Sequence, residues 1–269
     1  MTGCAVITGG GGLLGRAMAV AFAREGRAIV LADIDEGKLA ETAALVEAEG
    51  CRALAVRTDV SDQAAMIALA DLAFEAFGRV DRIVLNAGAA RLKKFVDLVR
   101  EDWDAVMGVQ WNGVLNGILA FLPRLVAQGG DRHIVVVSSM SGVGRADLRQ
   151  LNAPYVVAKF ACAGLVEVMA PSLAEEGIGT SLLCPGMTVA DPAAMKGVQW
   201  PMASAAWYQD NLLDSSQVAA EVLAGIAENR LYIFPHRAGR QEVIDRHQAL
   251  MHGFDQAERT SPVRTTGGN

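Results

Sequence analysis

The chain alternates short, β-branched apolar runs with longer Ala- and Leu-rich amphipathic segments along most of its 269 residues. Parallel strands need a crossover connection, which a helix supplies, so this alternation predicts βαβ units. The run at residues 134–137 is apolar on both faces, as expected in a sheet that helices cover on each side. We therefore predict an α/β fold with a single Rossmann-type, doubly wound parallel sheet of about seven strands. The predicted strands are residues 4–8, 28–32, 52–57, 82–85, 133–138, 180–184 and 231–234.

The amphipathic segments between these strands predict the flanking helices. They lie at residues 13–25, 37–49, 62–77, 101–128, 155–176 and 216–229, with a further helix at 240–254. No linker, repeat or low-complexity stretch interrupts the pattern, so we predict one domain over residues 1–256. Residues 257–269 are polar and Gly- and Thr-rich at their end, which predicts a flexible tail.

Composition and charge limit the classes of function. The net charge of −6 and the pI near 5.3 argue against a nucleic-acid partner, because such proteins concentrate Lys and Arg. No uninterrupted run of about eighteen apolar residues occurs, so we expect no membrane span. The predicted first strand leaves no room for a signal peptide. The four cysteines are widely spaced without a C-x-x-C pair, which predicts reduced thiols in the cytoplasm and no metal site.

A glycine-rich loop follows the first predicted strand and opens a helix. Gly10, Gly12 and Gly15 have the G-x-G-x-x-G spacing of dinucleotide sites, where a tight turn, the approach of the pyrophosphate and close helix–strand packing each exclude a side chain. The helix N-terminus offers unpaired N–H groups and a partial positive charge. We therefore expect the phosphates of a dinucleotide to bind along the loop from Thr8 to Gly15.

An acidic residue ends the second predicted strand. Asp33 can accept hydrogen bonds from both hydroxyls of an adenosine ribose and would repel a 2′-phosphate. No Arg or Lys follows it at once, and Asp35 and Glu36 add negative charge. Asp33 could instead cap the next helix, but Asp35 is better placed for that role. The pattern favours NAD over NADP.

Tyr155 and Lys159 lie four residues apart at the start of a predicted helix, so their side chains share one face. A tyrosine hydroxyl ordinarily has a pKa near 10 and is a poor base at neutral pH. A neighbouring ammonium stabilises the phenolate and lowers that pKa, and an oxidised nicotinamide would add a second positive charge. The pair is therefore a candidate proton donor and acceptor for an alcohol or a ketone.

Further candidates follow other predicted strands, at the edge where ligands bind in open α/β sheets. Ser139 follows the strand at 133–138 and could hydrogen-bond the substrate oxygen, although serines often simply terminate strands. Small residues after two other strands would allow a cofactor to pass close to the backbone. They are Asn86, Ala87 and Gly88, and the turn formed by Cys184, Pro185 and Gly186.

Taken in order, these motifs resemble the classical short-chain dehydrogenase/reductase family over residues 3–234. The resemblance rests on the glycine loop, Asp33, Asp59-Val60, Asn86-Ala87-Gly88, Ser139, Tyr155-x-x-x-Lys159 and Pro185-Gly186. It implies that Ser139 orients the substrate, that Tyr155 is the acid and base, and that Lys159 binds the nicotinamide ribose and tunes Tyr155. It also implies that Asp59 and Val60 contact adenine and that Asn86 braces the sheet beside the cofactor. The catalytic set is then Ser139, Tyr155, Lys159 and Gln110. The residues expected to contact NAD are Thr8, Gly9, Gly12, Leu13, Leu14, Gly15, Asp33, Ile34, Asp59, Val60, Asn86, Ala87, Gly88, Tyr155, Lys159, Pro185, Gly186 and Thr188.

Two departures from the family pattern concern the loop and the pocket wall. The glycine loop has Leu13 where the family has a glycine, a spacing that is similar to the longer, epimerase-like branch. That branch needs a larger C-terminal substrate region than this chain has. Ser139 and Tyr155 are also further apart than is usual, and the additional residues within 144–153 should enlarge one wall of the pocket.

Two further departures concern catalysis and the cofactor. Gln110 stands where the family has an asparagine that helps to hold a water between the lysine and solvent, which predicts a rearranged or slower proton relay. Asn112 lies two residues further on and should point elsewhere on the helix. Ala190 replaces the threonine that binds the nicotinamide carboxamide, and Thr188 is the candidate to replace it.

Residues near 187–210 correspond to the family's substrate lid. Their apolar and aromatic content suits a bulky apolar or aromatic substrate, or equally packing under the lid or at a subunit interface. The residues concerned are Met187, Met195, Trp200, Met202, Trp207 and Tyr208. Residues 228–235 and 109–118 are similar to bacterial dehydrogenases that oxidise benzylic alcohols of lignin-derived aryl ethers.

The resemblance implies an NAD-dependent enzyme that interconverts a secondary alcohol and a ketone. It also implies a homotetramer or homodimer joined through the helices at 101–128 and 155–176. One alternative is a dinucleotide-binding homologue with impaired catalysis that acts as a sensor or subunit, which only Gln110 supports. Another is a 3-oxoacyl-thioester reductase, which usually prefers NADP, so that Asp33 counts against it.

Overall fold

The computed structural model describes residues 3–144, 152–195 and 211–260, and its centre is a seven-stranded parallel sheet. The strand order is β3-β2-β1-β4-β5-β6-β9, with every neighbouring pair parallel. The sheet is therefore the doubly wound α/β arrangement that the sequence predicts, and that prediction is confirmed. Its strands are β1 (Cys4–Thr8), β2 (Ala28–Asp33), β3 (Ala53–Arg57), β4 (Arg82–Leu85), β5 (Arg132–Val137), β6 (Ile178–Leu183) and β9 (Tyr232–Ile233).

Helices cover both faces of this sheet. Two clusters of buried side chains form the core, one on each face: α3, α5 and α6 contribute to the first, whereas α1, α2 and α7 contribute to the second. The central strands are buried on both faces, which explains why β5 is apolar throughout residues 134–137. The helices are α1 (Leu13–Arg24), α2 (Glu36–Ala48), α3 (Gln63–Phe77), α4 (Arg100–Met107), α5 (Gly113–Gln128), α6 (Ala153–Glu175), α7 (Ser215–Ala227) and α8 (Arg240–Thr260).

The predicted helix over 101–128 differs from the structure in one respect. A π-helical turn, Gly108–Asn112, separates α4 from α5. Such turns shift the i→i+4 hydrogen-bond pattern by one residue and often mark functional sites, and apolar periodicity does not reveal them. The turn buries Gln110, whereas Asn112 is exposed.

The last helix also extends beyond its predicted end. Helix α8 runs to Thr260, so its final turn enters the segment that the sequence predicts as a flexible tail from residue 257. Residues 261–269 lie outside the described part of the chain.

A two-stranded parallel ribbon joins the two ends of the predicted lid. Strand β7 (Thr188–Val189) pairs with β8 (Leu213–Asp214), and the Leu213 amide donates to the Met187 carbonyl at 2.9 Å. The ribbon fixes where the lid leaves and rejoins the domain. The predicted lid residues Trp200, Met202, Trp207 and Tyr208 lie outside the described residues, as do residues 145–151 of the predicted pocket wall.

Two helical stretches are long and apolar enough to cross a membrane by length and composition, Arg100–Gln128 and Ala153–Glu175. Within the domain α5 and α6 both contribute to the core. Only 44% and 39% of their most apolar windows are buried inside this chain. Leu119 of α5 and Val157 and Val168 of α6 are among the apolar residues of these helices that remain exposed.

A buried histidine ties β5 to β6 and to the turn before β9. Nε2 of His133 lies 2.8 Å from the Ser181 hydroxyl, which donates to the Arg230 carbonyl at 2.5 Å. Because Ser181 donates its only hydrogen, the ring must donate from Nε2. Burial, helped by the charge of the nearby Arg82 and partly opposed by Asp131, lowers the pKa of His133 to about 4.

We expect this histidine to make the fold sensitive to acid. The unfolded chain takes up the proton near pH 6.5 and the folded chain only near pH 4, so stability is lost as the pH falls between these values. From pH 7 to pH 5 the free energy of unfolding should fall by about 2 kcal/mol from this group alone. Urea unfolding at several pH values measures it. His133→Gln should flatten the pH dependence and the exposed control His247→Gln should not; equal slopes for wild type and His133→Gln would contradict the prediction.

Candidate active site

The loop between β1 and α1 has room only for glycine at two points. Gly9 has a φ of +65°, and a Cβ there would lie 2.8 Å from Nδ2 of Asn86. A Cβ at Gly15 would lie 2.1 Å from the Gly9 carbonyl oxygen. Gly12 is the N-cap of α1 and supplies no side-chain cap, and no acidic residue occupies the first helical turn. The N–H groups of Leu13, Leu14 and Gly15 are thus presented without a side-chain acceptor, a cradle that fits the phosphates of a dinucleotide.

Thr8 and Asn86 lock this loop to the sheet. The Thr8 hydroxyl accepts hydrogen bonds from the amides of Asn86 (2.9 Å) and Ala87 (3.1 Å). Nδ2 of Asn86 donates to the carbonyls of Thr8 (2.9 Å) and Gly9 (3.2 Å). The ends of β1 and β4 are therefore held together beside the cradle, in the bracing position that the resemblance implies for Asn86. Gly88 follows and faces the side chain of Gln110.

The predicted ribose-binding carboxylate is tied to the same loop. Oδ2 of Asp33 accepts from the Gly11 amide at 3.1 Å, and Oδ1 accepts from the Asp35 amide at 3.2 Å. A Cβ at Gly11 would lie 2.6 Å from Cβ of Lys38, which brings that lysine to the ribose position. The sequence pattern, in which a basic residue was sought directly after Asp33, missed Lys38, because it lies five residues further on, in the first turn of α2. Ile34 is exposed beside Asp33.

The predicted adenine contacts lie one strand further along the sheet edge. Asp59 is exposed, and its Oδ1 accepts from the Ser61 amide (2.9 Å) and hydroxyl (2.7 Å), so this carboxylate shapes its own turn. Val60 is buried against Gly113 at the start of α5. The structure thus brings Asp59 and Val60 to the β2–β3 side of the edge.

Lys159 lies in the interior, 4% exposed, and its Nζ donates to the Val137 carbonyl at the end of β5 at 2.6 Å. Burial lowers its pKa to about 8. Cys162 and Cys184 are its thiol neighbours, and burial raises both of their pKa values, that of Cys184 to about 12. These thiols are therefore uncharged at neutral pH and do not neutralise the ammonium.

Tyr155 stands on the first turn of α6 with its ring centroid 5.4 Å from Nζ of Lys159. The structure thus brings together the two residues that the sequence pairs by their spacing. An ammonium at this distance stabilises negative charge on the ring and its oxygen. Tyr155 is half-buried, in contrast to Lys159, so the pair has a charged inner member and an outer member nearer the surface.

Ser139 begins a short 3₁₀ turn, Met140–Gly142, directly after β5. Its Oγ accepts from the Ser141 amide at 3.1 Å and retains a hydrogen to donate. The preceding Ser138 hydroxyl donates to the Lys159 carbonyl at 3.0 Å, and the Met140 amide donates to the Pro185 carbonyl at 3.0 Å. The ends of β5 and β6 and the start of α6 are therefore tied into one rigid unit.

Gln110 lies in the π-helical turn, 1% exposed. Its Nε2 donates to the Ala89 carbonyl at 2.8 Å, and its main-chain carbonyl accepts from the Cys162 thiol at 3.5 Å. Within the described part of the chain its Oε1 has no hydrogen-bond partner. The side chain thus holds the segment after β4, whereas the relay role given to Gln110 remains a prediction.

The turn after β6 contacts a residue that the sequence analysis missed. A Cβ at Gly186 would lie 2.7 Å from Nε2 of His236, which follows β9. The sequence does not reveal the contact between Gly186 and His236, because fifty residues separate them along the chain. The Thr188 hydroxyl donates to the Gly186 carbonyl at 3.2 Å, so its oxygen still has a lone pair to offer. Ala190 is exposed.

Comparison with known proteins places these features in a family. The family model described as short chain dehydrogenase matches residues 3–199. The probable oxidoreductase EphD of Mycobacterium tuberculosis is 39% identical over 195 residues, which cover 72% of this chain but 32% of that protein's length. The C alpha-dehydrogenase of a Sphingobium species is 29% identical over 262 residues, covering 92% of this chain and 85% of that protein.

Solved structures agree with this assignment. A Burkholderia phymatum short chain dehydrogenase/reductase in complex with NAD has a TM-score of 0.81 and 35% identity, covering 94% of this chain and 95% of that one. The apo form of LigD from Sphingobium has a TM-score of 0.80 and 29% identity, covering 93% and 96% of the two chains.

The buried ammonium should give the protein an unusual stability profile at alkaline pH. The pKa of Lys159 is lower in the folded chain than in the unfolded one, so the unfolded chain binds the additional proton and stability rises with pH from about 8 to 10.5. Relative to Lys159→Met, the free energy of unfolding of the wild type should therefore rise by about 2 kcal/mol between pH 7 and pH 10. Urea unfolding at the two pH values measures this difference. The exposed control Lys94→Met should show no such change, and a constant difference for Lys159→Met would refute the assignment.

Proposed function

Because this chain belongs to the short-chain dehydrogenase family, we propose that it is an NAD-dependent oxidoreductase that interconverts a secondary alcohol and a ketone. The observation that supports this most directly is the ring of Tyr155 lying 5.4 Å from the buried ammonium of Lys159. A phenol held beside an ammonium can take up or release a proton near neutral pH, as alcohol oxidation requires.

In the oxidising direction the three polar side chains have separate tasks. Ser139 donates its hydroxyl hydrogen to the substrate oxygen and so fixes the carbinol. Tyr155, as the phenolate, removes the hydroxyl proton of the substrate. Lys159 stabilises that phenolate and, being anchored to Val137, keeps its charge in place without reorganisation. NAD, when bound, supplies the carbon that accepts the hydride. In the reducing direction Tyr155 returns the proton to the ketone oxygen.

NAD is the proposed cofactor because of the carboxylate of Asp33. Its two oxygens, oriented by the amides of Gly11 and Asp35, can accept the ribose hydroxyls and would repel a 2′-phosphate. The Burkholderia relative was solved with NAD. The carboxylate also disfavours a 3-oxoacyl-thioester reductase of the usual NADP-dependent kind.

A bulky apolar or aromatic alcohol is the proposed substrate class. The lid segment is rich in Met and aromatic residues, and the Sphingobium relative that covers most of this chain is named C alpha-dehydrogenase. The β7–β8 ribbon joins the two described ends of the predicted lid, and Met187 lies at one of these ends, next to the turn after β6. The proposed domain covers residues 1–256, in the cytoplasm, where the four free cysteines would remain reduced.

We propose a homotetramer or homodimer joined through α5 and α6. Both helices leave large apolar side chains in solvent, notably Leu119 (52% exposed), Val157 (46%) and Val168 (77%). Large apolar side chains left in solvent on two long helices are expected where another molecule covers them. A second copy of the chain would cover them symmetrically.

Replacing the phenol tests the catalytic proposal. Tyr155→Phe should retain NADH binding, measured by fluorescence titration, and lower kcat for oxidation of 1-phenylethanol and related secondary alcohols by at least about a thousandfold, because the proton acceptor is lost. Tyr232→Phe, a tyrosine outside the site whose hydroxyl donates to Glu167, is the matched control and should keep full activity. Retained turnover in Tyr155→Phe would overturn the mechanism. Absent turnover in the wild type with intact NADH binding would favour the sensor or subunit alternative.

Placing a charge on α6 tests the assembly. Val168→Glu should shift the protein to a smaller species in sedimentation-velocity experiments at micromolar concentration, because a carboxylate in an apolar interface is costly to desolvate. Leu45→Glu, an exposed apolar residue on α2, should leave the sedimentation coefficient unchanged. An unchanged coefficient for Val168→Glu would exclude α6 from the interface.

A further inference from the structure

The start of α2 places a second acidic residue and a lysine beside the predicted ribose position. Asp35 is the N-cap of α2, and its Oδ1 accepts from the Lys38 amide at 3.1 Å. Its Oδ2 forms an ion pair with Nζ of Lys38 at 3.0 Å. Asp35 therefore contacts Lys38 twice, through the backbone amide and through the side-chain ammonium.

Lys38 is next to the groups that would contact the ribose. A Cβ built at Gly11 would lie 2.6 Å from Cβ of Lys38 and 3.2 Å from Oδ2 of Asp33. The Gly11 amide also donates to that same carboxylate oxygen. The backbone of Gly11 therefore lies next to both the Asp33 carboxylate and Cβ of Lys38. The flexible side chain of Lys38 extends from this place.

A cation on the neighbouring helix is already paired. Arg16, on α1, forms an ion pair with Glu41 of α2 at 2.6 Å. Arg16 is therefore engaged by Glu41, and Lys38 by Asp35. Arg57 is the register partner of Asp33 on β3, so a further cation starts on the neighbouring strand. Lys38 differs in starting beside Gly11 and in being paired with the N-cap residue of its own helix.

We propose that Asp35 is a second determinant of cofactor choice, which excludes NADP by holding the ammonium of Lys38 away from the 2′-position of the adenosine ribose. This inference rests on the proposed NAD-dependent function and deepens it. Asp33 repels the 2′-phosphate directly, whereas Asp35 withholds Lys38, a nearby cation that could attract it. Releasing Lys38 gives a phosphate a charged hydrogen-bond donor within reach of the ribose.

The test uses Asp35→Asn, which keeps the N-cap acceptor of α2 and removes only the charge. Dissociation constants for NADH and NADPH are measured by the fluorescence of the bound nicotinamide at low ionic strength, for wild type, Asp35→Asn, Lys38→Met and the double variant. Asp35→Asn should shift the ratio of the two constants towards NADPH by roughly threefold to tenfold. In the double variant the shift should fall to less than about twofold, because no ammonium remains to be released.

Each outcome decides one point. An unchanged ratio in Asp35→Asn overturns the proposal. A shift of the same size with and without Lys38 also overturns it, because the carboxylate would then act through its own charge alone. The shift should shrink as salt is raised to about 0.5 M, since the groups are exposed and screened.

The proposed function can fail separately. If the wild type does not bind NADH, the NAD-dependent assignment fails before the ratio is considered. If the wild type binds NADH and the ratio does not respond to Asp35→Asn, only the role of Asp35 is lost. Circular dichroism and thermal unfolding of each variant confirm that α2 is intact.

Discussion

All seven strands of the main sheet run in one direction, so each polar residue that follows a strand is delivered to the same edge. Thr8, Asn86, Ser139 and Gly186 are far apart in sequence, and each lies at or just after the end of a strand on this edge. The hydrogen bonds from Asn86 to the glycine loop, and from Met140 to Pro185, then remove the remaining freedom between adjacent strand ends. The site is held by hydrogen bonds that end on backbone groups at the sheet edge.

The ammonium of Lys159 is buried inside this framework of hydrogen bonds. A buried cation without a charged partner weakens the fold, which is why its pKa falls to about 8. The Val137 carbonyl compensates for part of that cost and also fixes where the charge stands. In the proposed mechanism this buried charge is the one that stabilises the phenolate of Tyr155, so a group that weakens the fold also serves the chemistry.

The sequence predicts those parts of the molecule that local patterns specify. The seven strands, the loop ending at Gly15, Asp33 and the Tyr155–Lys159 pair all follow from periodicity or fixed spacing. The π-helical turn at Gln110 could not be predicted, because its residues fit an ordinary helix equally well. Contacts between distant segments were also missed: His236 reaches Gly186 only because β9 pairs with β6. The order of strands in space, which no local pattern gives, decides such contacts.

Lys38 was missed for a different reason, and it shows how one residue can serve the fold and the site at once. Helix α2 needs an N-cap, and Asp35 provides one through its side chain. An uncharged cap such as serine would satisfy the helix as well. The carboxylate differs in also engaging the ammonium of Lys38, three residues on and beside Gly11. In the role that we propose for Asp35, the choice of aspartate over serine is neutral for the helix and changes the charge that a bound ribose meets.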